Sequence, residues 1–309
     1  MATTAAPGTL FLGEVEVIRI IEYEGTTRPP EAMFPEVGAE AWALNRPWLE
    51  PEFWDAEANL LRTCVQTFAL RSAGAVILVD TGVGNGKQRP ALPGFHMLDT
   101  TFLARLEVAG IEPEDVDLVV NTHLHADHVG WNTRAVDGQW VPTFPNARYL
   151  LPRTDYEFWD PSVSPARRIG QANLNVFEDS IAPLVRHGQA RLWDERHVID
   201  ENLTLVAAPG HTPGSSVLEL ESQGERAVFV GDVLHNPIQV VRPDCNSCFC
   251  EDEAAARATR RRVLGEAADR RRIVVPAHVR GRRPAMTVEH AGSGFAIGSW
   301  IEFASEESA

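Results

Sequence analysis

The chain has 309 residues with 44% hydrophobic content, enough to bury a large core, and its formal net charge at pH 7 is −15. That charge speaks against a nucleic-acid backbone or an anionic membrane surface as the main partner, so nuclease readings lose weight. Residues 1–10 hold neither a basic start nor a long apolar run, so neither secretion nor membrane insertion is signalled and a cytoplasmic protein is expected.

No Gly/Ser or charged linker interrupts the periodic segments, which favours one domain over residues 1–309. The run Glu14-Val15-Glu16-Val17-Ile18-Arg19-Ile20-Ile21 alternates and then becomes continuously apolar, the pattern of a strand. After it the character changes. Pro29, Pro30, Pro35, Pro47 and Pro51 punctuate a stretch carrying Phe34, Trp42, Trp48, Phe53 and Trp54, so an irregular, aromatic-rich segment is predicted over 29–60. Its rings would cover the core, roof a pocket or pack against a second subunit in a homodimer.

Residues 61–70 and 75–79 read as a strand hairpin that runs into Asp80-Thr81-Gly82-Val83-Gly84. A carboxylate at the end of a buried strand needs hydrogen-bonded partners, and Asp80 is expected to orient a neighbouring ligand loop. Residues 100–109 have helical periodicity and Gly110 is a stop. Then comes Asp117-Leu118-Val119-Val120, an apolar strand that delivers Asn121-Thr122-His123-Leu124-His125-Ala126-Asp127-His128-Val129-Gly130-Trp131. His123 and His125 are two apart and project to one side of an extended segment, which suits a single metal. The turn suggested by Val129-Gly130-Trp131 swings Asp127 and His128 toward a second ion. Imidazole and carboxylate without thiolate form a ligand set for zinc or another borderline divalent ion.

Further on, residues 147–151 read as a strand, 154–159 as a short helix and 173–185 as an amphipathic helix, while His187 and His197 lack ligand neighbours. Residues 203–207 form a strand leading to Pro209-Gly210-His211-Thr212-Pro213-Gly214. A hairpin over 216–220 and 227–230 ends in Gly231-Asp232-Val233-Leu234-His235. A helix over 251–268 follows, and the last predicted strand, Ile273-Val274-Val275, delivers Pro276-Ala277-His278. Four strand ends thus present histidine or aspartate, and a shared metal cleft at one sheet edge explains them together. Cys245, Cys248 and Cys250 have no fourth thiolate or histidine at finger-like spacing; with Cys64 they are expected to be reduced thiols, one or two facing a pocket.

With this ordered set the chain resembles the metallo-β-lactamase superfamily over most of residues 61–280, and in particular its lactonase and methyl-parathion-hydrolase-like branch. The resemblance implies an α/β fold, an αββα sandwich of two mixed β-sheets flanked by helices. Carried over, His123, His125 and His211 would hold one metal, Asp127, His128 and His278 the other, and Asp232 would bridge them. Two zinc ions per chain are implied, with iron or manganese as alternatives. The implied activity is that of a hydrolase in which a hydroxide held between the metals attacks the carbonyl of a small lactone or ester, uncharged or aromatic, with Asp127 passing the proton to the leaving group. Phosphotriester or aryl-ether hydrolysis is the alternative at the same site; an iron-dependent sulfur dioxygenase and a non-catalytic metal-binding protein are alternatives of other classes. His235 stands where quorum-signal lactonases carry a pocket tyrosine, and a histidine there would hydrogen-bond the substrate carbonyl or protonate an alkoxide.

Overall fold

The computed structural model describes residues 8–163 and 167–304. The start of the chain, from which the cytoplasmic expectation comes, lies largely outside them.

The strands are β1 (Gly8–Leu12), β2 (Val15–Thr26), β3 (Trp54–Asp55), β4 (Leu60–Ser72), β5 (Ala75–Val79), β6 (Leu118–Val120), β7 (Thr133–Val136), β8 (Gln139–Pro142), β9 (Arg148–Pro152) and β10 (Ala190–Trp193) in the first half. The second half adds β11 (Arg196–Val198), β12 (Leu203–Ala207), β13 (Ser216–Ser222), β14 (Glu225–Gly231), β15 (Ile273–Pro276), β16 (Ala285–Ala291) and β17 (Gly294–Ile301). One mixed sheet runs β1-β2-β4-β5-β6-β9-β10, with β3 paired to β4; the other runs β11 to β17 in sequence order; β7 and β8 form a separate hairpin. Alternation along each strand splits the apolar residues between two faces. Val17, Leu70 and Val79 meet Leu205, Leu218 and Phe229 between the sheets. Their chain neighbours Ile18, Ala69 and Leu78 face outward, against Phe102 and Leu106 of helix α3 (Phe102–Val108).

Before α3 come α1 (Pro30–Met33) and α2 (Ala39–Leu49), and after it α4 (Arg153–Trp159), α5 (Ala182–Arg186), α6 (Ile238–Val241) and α7 (Glu253–Arg270). α7 starts where the Asp252 carboxylate accepts Ala254 N and Ala255 N at 3.0 and 2.9 Å, an N-cap reinforced by Glu253 in the first turn. Val263, Leu264 and Ala267 of α7 pack with Val228, Val230 and Val274 on the outer face of the second sheet. The layers are therefore helix, sheet, sheet, helix, as the sequence implies.

Three expectations change. Residues 29–60 are irregular only in part: Pro30 sits in the first turn of α1, where no intrahelical N–H is needed, and α2 accommodates Pro47, while turns fill much of the rest. Phe34, Trp42 and Phe53 are buried in the core of the second sheet, so the rings that suggested a second subunit pack inside this chain. The helix expected at 173–185 begins only at Phe177, with a π-helical stretch at Phe177–Ile181 before α5. Pro183 has no N–H to return to the Asp179 carbonyl, which instead accepts the Thr133 hydroxyl and Lys87 Nζ. Finally, β16 and β17 follow the strand read as the last. Among the described residues no helix is long and apolar enough to cross a membrane.

Candidate metal centre

β5 and β6 run parallel, as do β14 and β15, and β12 points the same way as β14 through the antiparallel β13. Their C-terminal ends therefore open on one edge of the two sheets, and each carries one piece of the site: Asp80 after β5, His123 to His128 after β6, His211 after β12, Asp232 after β14 and His278 after β15.

All seven expected ligands meet there. The donor atoms of His123, His125, His211 and Asp232 lie within 4.8 Å of one another, and so do those of Asp127, His128 and His278. Asp232 stands between the groups. Its Oδ2 is 3.1 Å from His211 Nε2 and 3.7 Å from His123 Nε2, while its Oδ1 is 3.2 Å from His128 Nε2 and 3.0 Å from His278 Nε2.

The outer nitrogens are held by protein. Asp80, in a left-handed conformation at φ 57°, accepts Thr122 N at 2.7 Å, Thr122 Oγ1 at 2.8 Å and His128 Nδ1 at 2.8 Å. The Thr122 hydroxyl spends its one proton on Asp80 and accepts from His123 Nδ1 at 3.1 Å. His278 Nδ1 donates to the Cys64 carbonyl at 2.9 Å. These contacts suit a proton on Nδ1 of three rings, so that once a metal displaced any proton on Nε2 that nitrogen would be free to face it, the tautomer a metal ligand requires.

Two carboxylates that sequence reading missed hold the loops. Asp155 of α4, fully buried, accepts Leu124 N at 3.0 Å, Thr212 Oγ1 at 2.8 Å and Gly214 N at 2.6 Å, tying the histidine motif to the His211 loop. Glu22 of β2 accepts Val83 N at 2.6 Å, Gly84 N at 3.1 Å and Trp131 Nε1 at 2.6 Å, tying the Asp80 turn to the end of the motif. Both are far in sequence from the ligands, and each sits in an unremarkable local context. Gly210, at φ +133°, lets the His211 loop press on α7: a Cβ there would lie 2.1 Å from Ala256 N.

The electrostatics favour cations. Burial and neighbouring imidazoles push His123 and His125 well below the usual histidine range. Burial is the largest single influence on His128, His211 and His278 and opposes their protonation, but Asp232 together with Asp80 and Asp127 at His128, Cys250 at His211 and Asp127 at His278 holds all three high, His211 at about 9. Burial alone would raise Asp232; the surrounding histidines instead hold it well below the carboxylate range. Nε2 of His123 and His128 is buried without a hydrogen-bond partner, and His125 turns Nδ1 to within 2.9 Å of His211 Nε2, two nitrogens drawn together at the centre. Unpaired polar atoms so placed need a ligand, and the imidazole and carboxylate donors fit zinc or a similar divalent ion.

A cavity of about 340 Å³ opens on this centre, with His125, Asp127, Asp232, His235 and His278 at its inner end. Met33, Phe34, Leu61, Leu92, Phe95 and Phe249 supply its apolar wall. Of the aromatic segment only Phe34 reaches it, since Trp42, Trp48, Phe53 and Trp54 pack on the core. The thiols expected at a pocket are not among the lining residues either. All four cysteines are free, and Cys250 lies behind the centre, its Sγ 3.9 Å from His211 Nδ1. His235 lies against the Asp232 carboxylate, Nε2 to Oδ2 3.1 Å, with the Ser247 hydroxyl 3.4 Å away. His187, Nδ1 bonded to the Pro183 carbonyl, and His197, on β11, are outside the centre.

Residues 65–278, more than half the chain, match the family described as the metallo-beta-lactamase superfamily. The chain belongs to this superfamily. Among relatives, the N-acyl homoserine lactonase AttM of Azorhizobium caulinodans is 32% identical over 117 residues, 38% of this chain and 40% of the relative. An N-acyl homoserine lactonase of Bacillus cereus is 25% identical over 186 residues, 56% of this chain and 64% of the relative. The matches thus span less than two thirds of either relative. Two solved structures share the fold over nearly the whole chain. The hydrolase AbOPH has a TM-score of 0.78 at 24% identity, covering 98% of this chain and 99% of that one. AidC, a dizinc quorum-quenching lactonase solved with a product, has a TM-score of 0.75 at 21% identity, covering 97% and 99%.

Proposed function

We propose that this superfamily member is a dinuclear zinc hydrolase that opens the ester bond of a small lactone or ester. The observation that carries the reading is the placement of Asp232, one carboxylate oxygen facing each of two histidine groups, with a cavity lined by residues of both. The lactonase names of the relatives support the substrate class.

Two bound divalent ions would supply a water ionised at neutral pH and a Lewis acid for the substrate's carbonyl oxygen. The rest falls to the chain. The apolar wall takes the body of the substrate and excludes water from it. Asp127, whose carboxylate is 3.7 Å from His278 Nε2 and 3.8 Å from His128 Nε2, lines the cavity and keeps a 19% exposed side chain. It is the group placed to take a proton and return it to the leaving alkoxide. His235 is held by burial at a pKa of about 4 and is neutral at pH 7. If its one ring proton sits on Nε2 and is donated to Asp232, Nδ1 is an acceptor, so the ring steadies the bridging carboxylate and does not donate to a carbonyl. The proposed partner is a small molecule. The four free thiols and the net charge of −15 fit a cytoplasmic enzyme with no nucleic-acid partner.

The test is proton release by zinc-loaded protein across lactones, aryl esters, phosphotriesters and β-lactams, with Asp127→Ala as the blank. Preference for lactones or carboxylic esters is expected. A rate on phosphotriesters alone, or oxygen uptake by the iron form with silence on the panel, would overturn the reading.

A further inference from the structure

The cavity carries polar groups besides the metal centre. Its lining includes Tyr23, Thr26, Thr27, Arg28, Arg62 and Thr63. Arg28 is an exposed residue at the cavity wall, and its guanidinium makes no ion pair and no hydrogen bond among the described residues, although the chain as a whole carries a formal charge of −15. Its carbon lies 5.2 Å from the ring centroid of Phe249, which fixes the direction of the guanidinium by cation–π attraction. Phe249 in turn lies roughly parallel to His235, ring centroids 6.5 Å apart, and His235 touches Asp232 at 3.1 Å. Two aromatic rings therefore separate the free cation from the metal centre along one wall. Arg62 beside it gives one Nη to Asp55 at 2.7 Å, yet its Nε is buried with no partner. The carboxylates lining the cavity, Asp127 and Asp232, are both at the metal end, so Arg28 has no anionic neighbour on the wall.

We infer that Arg28, with the hydroxyls beside it, is an anion subsite, and that the substrate is an ester or lactone carrying a carboxylate separated from the scissile carbonyl by an apolar segment. This rests on the hydrolase reading for the scissile end only. An arginine with free N–H groups matches a carboxylate in a planar, two-bonded pair, and the apolar wall between the ends suits methylenes or a ring lying on Phe249. The uncharged substrate expected from sequence is thereby replaced by an anionic one.

The experiment compares phenyl hexanoate with monophenyl adipate, which differ only in a terminal methyl against a carboxylate, on zinc-loaded wild type, Arg28→Gln and Arg28→Lys. In parallel, calorimetry measures binding of adipic acid monoanilide, whose amide replaces the ester. The ratio of kcat/KM for the adipate over the hexanoate should fall about 10-fold in Arg28→Gln, chiefly through KM, recover in part in Arg28→Lys, and shrink with added salt. Monoanilide binding should weaken by a similar factor. An unchanged ratio together with unchanged monoanilide affinity in Arg28→Gln overturns the subsite. Monoanilide bound through Arg28 with neither ester hydrolysed supports the subsite and overturns the hydrolase reading instead.

Discussion

Asp155 accepts a 2.8 Å hydrogen bond from the Thr212 hydroxyl, and with it the loop bearing His211 is fastened to the loop bearing His123 and His125. The same carboxylate takes Leu124 N and Gly214 N, so all three bonds need an acceptor. Asp155→Asn turns one acceptor oxygen into a donor facing other donors. The expected result is a loss of about 1–3 kcal/mol in unfolding free energy and a zinc affinity lower by about 10- to 100-fold. Chemical denaturation and competition with a chelator measure the two. A variant that matches wild type in both would show that the loops hold without this link.

His211 gives a pH dependence. Burial disfavours its charged form, but Asp232 and Cys250 raise its pKa to about 9, so the metal-free protein carries a proton there at pH 7.5. A ligand nitrogen must lose that proton, so zinc uptake should release at least one proton per chain, and apparent affinity should rise with pH up to about 9. Calorimetry in buffers of different ionisation enthalpy counts the protons. Uptake with none released would exclude His211 as a ligand.

His235 contributes through Asp232. In His235→Phe the 3.1 Å contact to the bridging carboxylate is gone while the ring stays against Phe249. Zinc should be lost about 10-fold more readily to a chelator, and kcat should fall in the zinc-saturated protein. If the metal is retained as in wild type while kcat falls, the ring acts on the substrate directly, as the sequence suggested.

Lys87 links stability to pH. It is fully buried over the Trp140 ring, Nζ 4.0 Å from the centroid, and bonded to Thr133 Oγ1 at 2.7 Å. Burial pushes its pKa down to about 7; Asp179 opposes this weakly, because Arg89 already takes both its oxygens at 2.7 and 2.8 Å. Between about pH 7 and 10.5 the unfolded chain holds a proton the folded chain has released, so stability rises with pH across that window, by at most about 1.4 kcal/mol per unit. Urea unfolding at pH 7.5 and 9.5 should show this gain in wild type relative to Lys87→Met. A gain of equal size in the variant would assign it elsewhere.

What the sequence by itself determined was the candidate ligand set. His123, His125, Asp127 and His128 are local, and their two-residue and one-residue spacings act through the geometry of a strand end, so they are legible without a fold. His211, Asp232 and His278 were legible only as the third, fourth and fifth members of an ordered pattern on strand ends. The strand over 118–120 and the core of α7 were equally plain, because alternation, an Asp cap and an Ala-rich run are written in neighbours.

Tertiary structure decided the rest, where the causes are long-range. Pro30 and Pro47 read as breakers, yet α1 and α2 form because Phe34, Trp42 and Leu49 gain a core against Val228 and Val230, almost two hundred positions away. Met286 and Val288 alternate with Thr287 and Glu289, but pairing with β15 on one side and β17 on the other makes a strand of them. Glu22 and Asp155 carry no motif at all; what they do depends on donors brought to them by other loops. The unpaired guanidinium of Arg28 is of the same kind, since the absence of a partner is a property of the assembled cavity and of no local stretch of chain.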